Sequence, residues 1–251
     1  MESGREKISC VMITYNEEDR IAKTLESVVW CDEIVVVDSG STDKTIDICR
    51  QYGCRVEHHD FNGFGEQKQF AVSLAANDWI LSLDADEIIT TKLKEEILAL
   101  LSAKEINFHG FWISTKLVFM NRIFRHGTES DNYKIRLFNK QFCNFNTNKV
   151  HEHIELKEPT GKLKGEILHY SYKNLHHYFE KFNTYTSLGA QRFQQNSSKK
   201  KKSRFIIFIC LPFTFLKHYI IRGNILNGFA GFVWSMLSSF YQFVKYVKSR
   251  E

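Results

Sequence analysis

The sequence predicts an α/β fold in which a doubly wound, Rossmann-like parallel sheet continues into a mixed sheet and is followed by a helical tail. Two short apolar runs end in aspartate, at Asp38 and at Asp84, and such runs are typical of buried parallel strands. Strands alternate with helices up to about residue 103. Four strand-like segments then follow without a long helix between them, which indicates the mixed sheet.

The individual elements follow from apolar periodicity. A strand over 8–14 precedes a helix that begins at the acidic residues 17–19, whose charge suits the positive end of a helix. The next elements are a strand ending at Asp38, a helix over 43–52, a strand over 54–59, a helix over 65–76, a strand over 79–84 and a helix carrying Leu93, Ile97, Leu100 and Leu101. The mixed sheet then takes strands over 110–119, 133–138, 150–156 and 163–170, and a helix over 174–195 follows it.

The composition indicates a reduced, globular protein with an uneven distribution of charge. The chain has 251 residues, 43% of them hydrophobic, which suits one large domain or one domain with an appendage. Its six cysteines form no C-x-x-C pair, and a charged, polar start precedes the first strand; both features predict a cytoplasmic location. Ten lysines and arginines but only one acidic residue follow position 198, whereas the rest of the chain is mildly acidic.

The basic tail predicts a segment that lies in a membrane interface. Four lysines over 199–202 precede an apolar run over 205–216 that contains a proline. That run is shorter than the roughly 20 residues of a membrane-spanning helix. A helix over 219–248 then shows one narrow polar stripe on an otherwise apolar surface. The alternatives are a helix packed on the core with solvated lysines, and a nuclear-localisation signal, although nothing else indicates nucleic-acid binding.

Three carboxylates are expected at one edge of the parallel sheet, because ligands of open α/β sheets bind beyond the carboxyl ends of the strands. They belong to Asp38, Asp84 and Asp86. Carboxylates gathered in this way repel one another, so we expect a bound divalent cation to neutralise them.

Three motifs together resemble the family-2 inverting glycosyltransferases of the A-type fold. They are Thr-Tyr-Asn-Glu at 14–17, Val-Asp-Ser-Gly-Ser-Thr-Asp at 37–43 and Asp-Ala-Asp-Glu at 84–87, and the resemblance covers roughly residues 8–170. Within that family, Val-His-Glu at 150–152, the strand ending at His169 and the basic aromatic tail resemble the bacterial lipopolysaccharide inner-core β-1,4-glucosyltransferases. The resemblance implies transfer of glucose from UDP-glucose onto a lipid-linked saccharide such as the lipopolysaccharide inner core.

The resemblance also implies a domain division and a location. Residues 1–172 would form the catalytic domain, with a nucleotide-sugar half over about 1–105 and an acceptor half over about 106–172. Residues 173–251 would form a helical, basic region that attaches the enzyme to the cytoplasmic side of the inner membrane, through its anionic surface, as a peripheral or monotopic protein.

At the donor site, Asp38 and Asn16 are expected at adjacent strand ends, where they can hydrogen-bond to the edge of a uracil and its ribose. The resemblance implies the same role for Thr14, Glu17 and Asp38. Loop capping is the alternative role of these residues. Lys68, in the first turn of a helix, is expected to reach donor oxygens or to be a solvated surface lysine. Arg136 is expected either to pair with a phosphate or to form a structural ion pair.

The resemblance implies that Asp86 ligates Mg²⁺ or Mn²⁺ between the two phosphates of the donor, with Asp84 close to the ribose or the metal. His169 would complete the metal shell, as a late histidine does in related enzymes, or be an ordinary satisfied histidine.

An inverting transfer needs one base to deprotonate the acceptor hydroxyl. The Glu-Asp pair that the family usually supplies is absent here, and Val-His-Glu-His at 150–153 occupies a comparable place. We therefore expect Glu152 to be the base, with His151 as the next choice. The His-Glu-x-x-His spacing of a zinc protease is missing.

Other functions compete with this interpretation. A sugar-phosphate nucleotidyltransferase would need a glycine-rich phosphate loop after the first strand, where this chain has residues 14–17 of a different type. A membrane-surface protein that binds nucleotide-sugars or anionic lipids without turnover, and a glycosyltransferase for another cell-surface glycan, remain as alternatives.

Overall fold

The computed structural model describes residues 4–130, 132–146, 153–156, 159–195 and 204–250. The strands are β1 Ile8–Thr14, β2 Glu33–Asp38, β3 Arg55–His58, β4 Trp79–Asp84, β5 Glu87–Ile89, β6 Gly110–Phe119, β7 Arg122–Ile123, β8 Asn132–Asn139, β9 Asn144–Phe145, β10 Ile154–Glu155 and β11 Gly161–His169. The α-helices are α1 Ile21–Val28, α2 Thr45–Gln51, α3 Phe64–Leu74, α4 Thr91–Leu101, α5 Leu175–Gln195, α6 Arg204–Leu216 and α7 Gly228–Lys248. A π-helical turn over Lys217–Ile221 and a 3₁₀ turn over Asn224–Asn227 connect α6 to α7.

The chain divides into two compact units. The first, here called the sheet unit, consists of Met1–Thr115 and Asn132–His169. The second, the helical unit, consists of Lys116–Asp131 and Tyr170–Glu251. Residues 116–131 thus group with the C-terminal helices.

The sheet unit has the predicted change from a parallel to a mixed sheet. Its strand order is β3-β2-β1-β4-β8-β6-β11-β5. The first four strands are parallel, β8 pairs antiparallel with β4 and β6, and β11 pairs antiparallel with β5. Thr14 lies opposite Asp38, and Ile13 opposite Asp84. The strand ends that the sequence predicted to meet therefore lie at one edge.

Both faces of the parallel strands are buried, as a doubly wound sheet requires. Alternate residues of a strand point to opposite faces: Cys10 and Met12 belong to one apolar core and Val11 to the other. Helices α1 and α4 contribute Leu25 and Ile97 to the first core, and α3 contributes Val72 to the second. This packing fixes the strand ends from both sides.

The helical unit has its own aromatic core. Leu117, Phe119, Phe124, Tyr178, Phe182 and Ala230 are buried together there. Helix α7 packs against both α5 and α6. Among the helices of the described residues, none combines the length and the apolarity that a membrane crossing requires.

The predicted helix over 219–248 is wrong at its start. Helix α7 begins at Gly228, and the preceding residues form the π and 3₁₀ turns. Gly223 and Gly228 have φ angles of 76° and 67°. This left-handed backbone interrupts a right-handed helix, and glycine adopts it readily because it has no Cβ.

Candidate active site

The loop after β2 is held by the side chain of Asp38. This carboxylate is 1% exposed and accepts hydrogen bonds from the backbone N–H groups of Gly40 (2.8 Å) and Ser41 (2.9 Å) and from the Ser41 hydroxyl (2.5 Å). Gly40 has a φ of 95°, which favours glycine at this turn. These contacts are those of the capping alternative. A role of Asp38 in nucleotide binding stays a prediction.

A second loop, after β1, is joined to the first. Asn16 adopts a left-handed φ of 53°, its backbone N–H donates to the Ser41 hydroxyl (2.9 Å), and its side-chain oxygen accepts from the backbone N–H of Thr42 (2.9 Å). Beside it, Thr14 is 5% exposed and its hydroxyl has no hydrogen-bond partner among the described residues. A buried hydroxyl without a partner is costly, so this is an atom that a bound ligand can satisfy.

At the end of β4, Asp84 lies between two cations. Its carboxylate contacts Lys68 Nζ at 2.8 Å and Arg136 Nη2 at 2.9 Å. Burial disfavours the charged carboxylate, but the charges and hydrogen bonds of Lys68 and Arg136 outweigh this and hold the pKa of Asp84 well below its usual value. Lys68 is 4% exposed, so the interpretation of Lys68 as a solvated surface lysine is wrong.

Arg136 forms the structural ion pair that was one of its two predicted roles. It is 2% exposed and contacts Glu87 Oε1 at 2.5 Å as well as Asp84. Glu87 is 1% exposed and also accepts a hydrogen bond from the Asp84 backbone N–H at 3.0 Å. In the pairing of β6 with β8, Phe111 lies opposite Leu137 and Trp112 opposite Ile135. Arg136 is thus the extra residue of a β-bulge, a feature that redirects side chains near functional sites.

Asp86 faces a different pair of groups. Its carboxylate lies 3.3 Å from His169 Nε2 and 3.6 Å from Arg20 Nη1. Burial works against ionisation, but the hydrogen bond and charge of His169, together with Arg20, lower the pKa of Asp86. Burial likewise opposes a charged His169, but Asp86 and the other two nearby carboxylates raise the pKa of this imidazole. The contact arises because β11 pairs with β5 so that His169 lies opposite Glu87.

Glu17 is connected to the same network. Its carboxylate accepts hydrogen bonds from Arg20 Nε at 2.8 Å and from Arg20 Nη2 at 2.6 Å. Its backbone N–H donates to Thr45 Oγ1 at 2.8 Å. Arg20 therefore bridges Glu17 and Asp86, and it holds the Glu17 carboxylate in place.

Basic residues of the protein already offset part of the mutual repulsion from which a bound cation was predicted. Lys68, Arg136 and Arg20 compensate the carboxylates from within the protein, while Asp38 is satisfied by its own loop. Among the described residues, no group of three His, Cys, Asp or Glu side chains is arranged to hold a metal ion. Of the three predicted ligands, Asp86 and His169 lie together, while Asp84 is engaged by Lys68 and Arg136.

The predicted base cannot be placed at this site. Glu152 and His151 lie outside the described residues. The neighbouring described chain forms a small antiparallel ladder in which Ile154 pairs with Phe145. The choice between the two bases stays a prediction.

The sequence analysis missed three residues of the site, namely Glu87, Arg20 and Gln67. Glu87 is the last residue of the acidic motif over 84–87, but it starts a strand of only three residues. Gln67 is fully buried and donates to Ser39 Oγ and to the His59 carbonyl, each at 2.9 Å. In the sequence, the available signals were the acid that ends the 84–87 motif and the glutamine beside Lys68. Neither has a distinctive spacing.

Comparison with known sequences identifies the family. Residues 9–155, more than half of the chain, match the family described as Glycosyl transferase family 2. The chain belongs to this family. Its predicted glycosyltransferase fold is thereby confirmed, and the chain is a glycosyltransferase.

Similar proteins include bacterial transferases. An uncharacterised glycosyltransferase of Rickettsia felis is 35% identical over 98% of this chain and 90% of its own length. The lipopolysaccharide core biosynthesis glycosyltransferase LpsC of Rhizobium meliloti is 29% identical over 96% of this chain and 91% of its own length. Glucosyl-3-phosphoglycerate synthase from Mycobacterium tuberculosis, solved in complex with Mn²⁺, UDP and glucosyl-3-phosphoglycerate, is 23% identical over 46% of this chain and 45% of its own, with a TM-score of 0.37.

Proposed function

We propose that this family-2 glycosyltransferase transfers a hexose from a UDP-sugar, with UDP-glucose as the expected donor, onto a lipid-linked saccharide such as the lipopolysaccharide inner core. The family supports the transfer reaction. The name of the Rhizobium meliloti relative, which aligns with nearly the whole chain, supports the choice of acceptor. We expect the transfer to invert the configuration at the anomeric carbon, as the resemblance implies.

The observation that carries the proposal is the arrangement of polar groups at the ends of β1, β2 and β4. The buried Thr14 hydroxyl without a described partner, the Asp38 loop and the Asp86–His169 pair all follow these strand ends. Ligands bind at this edge in open α/β sheets. We expect Thr14, Asn16, Glu17 and Asp38 to form the nucleoside side of the site, Lys68 to face the diphosphate, and Asp84 to lie close to the ribose or the metal.

Asp86 and His169 fit a divalent cation together with the donor. Mg²⁺ is usually held by one or two carboxylates with substrate phosphates and water completing the shell, so a site need not contain three protein ligands. Asp86 is ionised at neutral pH and its carboxylate contacts the imidazole nitrogen. A cation here would supply Lewis-acid stabilisation to the departing diphosphate.

The remaining steps fall to groups of the chain itself. In an inverting displacement the acceptor oxygen forms a bond to the anomeric carbon as the bond to UDP breaks. The acceptor proton passes to a base, which we propose to be Glu152, or His151 if Glu152 is not placed to reach it. Lys68 would offer positive charge to the diphosphate oxygens during departure.

The helical unit supports attachment to a membrane surface, where a lipid-linked acceptor would be found. Phe208, Phe213, Ile221 and Phe229 are 66–76% exposed on α6, on α7 and between them. Large apolar side chains that are exposed to this degree favour an interaction surface. We propose that this surface enters the interface of an anionic membrane on its cytoplasmic side.

The first test is a thermal-shift measurement with UDP and UDP-glucose, with and without Mn²⁺ or Mg²⁺, on the full-length protein. A ligand at about one hundred times its dissociation constant adds roughly 2.7 kcal/mol of stability. We expect a UDP shift that increases with metal, and loss of the metal-dependent part in Asp86→Asn. Asp47→Asn, which changes an exposed carboxylate of α2, is the matched control.

The second measurement is release of UDP from UDP-glucose in the presence of lipopolysaccharide inner-core acceptor. Release together with a glycosylated acceptor supports the proposed transfer. A UDP shift without release from any UDP-sugar would favour a binding protein without turnover. No shift with UDP would overturn the proposed donor.

A further inference from the structure

A basic cavity lies in the helical unit, among residues to which the proposed transfer assigns no role. It has a volume of about 330 Å³, and its lining includes Arg122, Arg125, His126, Leu226 and Asn227. Arg122, Arg125 and His126 are exposed, so their charged or polar ends can reach a ligand that enters from solvent.

Hydrogen bonds of a buried asparagine hold the backbone of the cavity wall in place. Asn227 is 3% exposed, and its side-chain oxygen accepts hydrogen bonds from the backbone N–H groups of Arg125 (3.1 Å) and His126 (3.3 Å). Its side-chain N–H₂ donates to the His126 carbonyl (2.8 Å) and to Asn224 Oδ1 (3.2 Å). One buried amide thus fixes the backbone that carries two of the basic side chains.

The same region contains a buried donor without a partner. Asn224, the residue that Asn227 contacts, is completely buried, and its Nδ2 has no hydrogen-bond partner among the described residues. The nearby carboxylate of Glu129 lies against Gly127, and Glu129 is not part of the cavity lining. The seven residues that line the cavity include two arginines, Arg122 and Arg125, and no acidic residue.

One lining residue, Leu226, and three residues close in sequence to the lining are apolar and exposed. Leu226 is 61% exposed, Ile225 48%, Phe229 71% and Met120 48%. Met120 and Asn121 form the turn between β6 and β7 with φ angles of 50° and 57°, a left-handed backbone that non-glycine residues rarely adopt. Arginines in the cavity, together with exposed apolar side chains nearby in the sequence, match the two parts of an anionic lipid, namely its phosphate and its acyl region.

We infer that this cavity binds the phosphate group of an anionic membrane lipid and so orients the helical unit on the bilayer. The inference deepens the proposed attachment to a membrane surface and rests on it. It is specific, because it assigns recognition of phosphate to two arginines rather than to the overall basic charge of the tail.

The test measures flotation of the full chain with vesicles of phosphatidylcholine alone and of phosphatidylcholine mixed with phosphatidylglycerol. We expect stronger binding to the mixed vesicles, and loss of that gain in Arg122→Gln/Arg125→Gln. Each basic residue near an anionic surface contributes about five-fold, so the double change should weaken binding on the order of thirty-fold. Lys92→Gln/Lys104→Gln removes the same charge from exposed positions of the sheet unit and should retain the gain.

A charge-conserving variant separates a phosphate site from diffuse attraction. Arginine binds phosphate through two parallel hydrogen bonds, which lysine cannot reproduce. We therefore expect Arg122→Lys/Arg125→Lys to lose most of the gain. Binding equal to that of the unaltered chain in this variant would overturn the inference, and so would equal loss in the Lys92/Lys104 control.

Two further readouts identify the ligand source and the part of the hypothesis that fails. Thermal protection by inorganic phosphate without any preference for phosphatidylglycerol vesicles would overturn a lipid as the occupant. The UDP thermal shift should persist in the Arg122/Arg125 variants, and its loss would also contradict the inference. A UDP shift in a chain that binds no vesicles would reject the membrane surface and leave the donor site standing.

Discussion

The two units differ in how their buried carboxylates are compensated. In the sheet unit, Asp84 and Glu87 are paired with cations of the same unit. In the helical unit, the carboxylate oxygen Glu129 Oε2 has no hydrogen-bond partner among the described residues, and the same holds for His218 Nδ1, Asn224 Nδ2 and Trp234 Nε1. The sheet unit also contains such atoms, but they include the uncharged hydroxyls of Thr14 and Thr115. Such atoms are rare in folded proteins and each needs an explanation.

This difference indicates how each unit depends on its surroundings. The sheet unit compensates its own charges, so its strand-end site is formed before a ligand arrives. The helical unit combines uncompensated polar atoms with large exposed aromatic side chains such as Phe208 and Phe229. Water, a lipid or another ligand would satisfy what the described part of this unit leaves open.

We expect the largest loss of stability when Arg136, the cation that contacts both Asp84 and Glu87, is replaced. Arg136→Met should lower the free energy of unfolding by about 3–5 kcal/mol, because it leaves the buried Glu87 without its described counter-charge and Asp84 with Lys68 alone. Arg55→Met is the control, since Arg55 pairs with Glu57 at side-chain exposures of 49% and 41%, and exposed pairs contribute at most about 1 kcal/mol. Urea unfolding measures both, and equal losses would contradict the comparison.

A glutamate-to-glutamine substitution in each unit compares a compensated carboxylate with one that has a buried oxygen without a described partner. Glu87→Gln should cost about 2–3 kcal/mol, because it weakens charged hydrogen bonds to a buried arginine. Glu129→Gln should change stability by less than about 1 kcal/mol, since it removes a carboxylate whose buried oxygen has no described partner. Denaturant unfolding of the two variants decides this, and a loss at Glu129 as large as that at Glu87 would reject it.

We expect exposed aromatic residues to contribute to membrane binding in the helical unit but not in the sheet unit. Phe229→Ser is expected to weaken vesicle binding by about 1.5–3 kcal/mol, the value of burying one phenyl ring, with little change in stability. Phe61→Ser, in the sheet unit, removes a side chain that is 50% exposed and should leave vesicle binding unchanged. Flotation assays compare them, and equal weakening would show that the helical surface has no special role.

The smallest effect concerns a peripheral ion pair of the sheet unit. Burial opposes ionisation of Asp32, but Arg5 and the Ile8 N–H outweigh it and lower the pKa of this carboxyl group. A lowered pKa in the folded state stabilises the fold above the ordinary aspartate pKa, and the gain disappears as pH falls through the folded-state value.

The corresponding variant is Asp32→Asn. We expect it to lose up to about 1 kcal/mol at neutral pH and progressively less as the pH approaches 3, so its stability should depend less on pH than that of the unaltered chain. Asp47→Asn is the control. Parallel pH profiles for Asp32→Asn and the unaltered chain would contradict the prediction.

Most of the strands and helices could be predicted from the sequence, but short elements and one helix boundary could not. The strands ending at Asp38 and Asp84 and the strand over 110–119 were correct, because long apolar runs are strong signals. Strand β5 has only three residues, too few for a periodic pattern. The start of α7 depended on the backbone angles of Gly223 and Gly228, which helix periodicity does not show.

The charge pattern of the site was equally hidden. Lys68 and Arg136 reach Asp84 from α3 and from β8, which lie 16 and 52 residues away along the chain. Their approach depends on how α3 packs and on which strand lies beside β4. Local sequence identified the carboxylates, but only the tertiary fold shows what neutralises them.

The bulge at Arg136 has an evolutionary consequence. Side chains of a strand alternate between two faces, so a shift of one residue moves each of them to the other face. Removing one residue near this bulge would turn the arginine away from the acids without changing a single residue type of the motifs. In descendants of this chain, a one-residue deletion in β8 can therefore abolish the charge balance of the site while every recognisable signature of the family is retained.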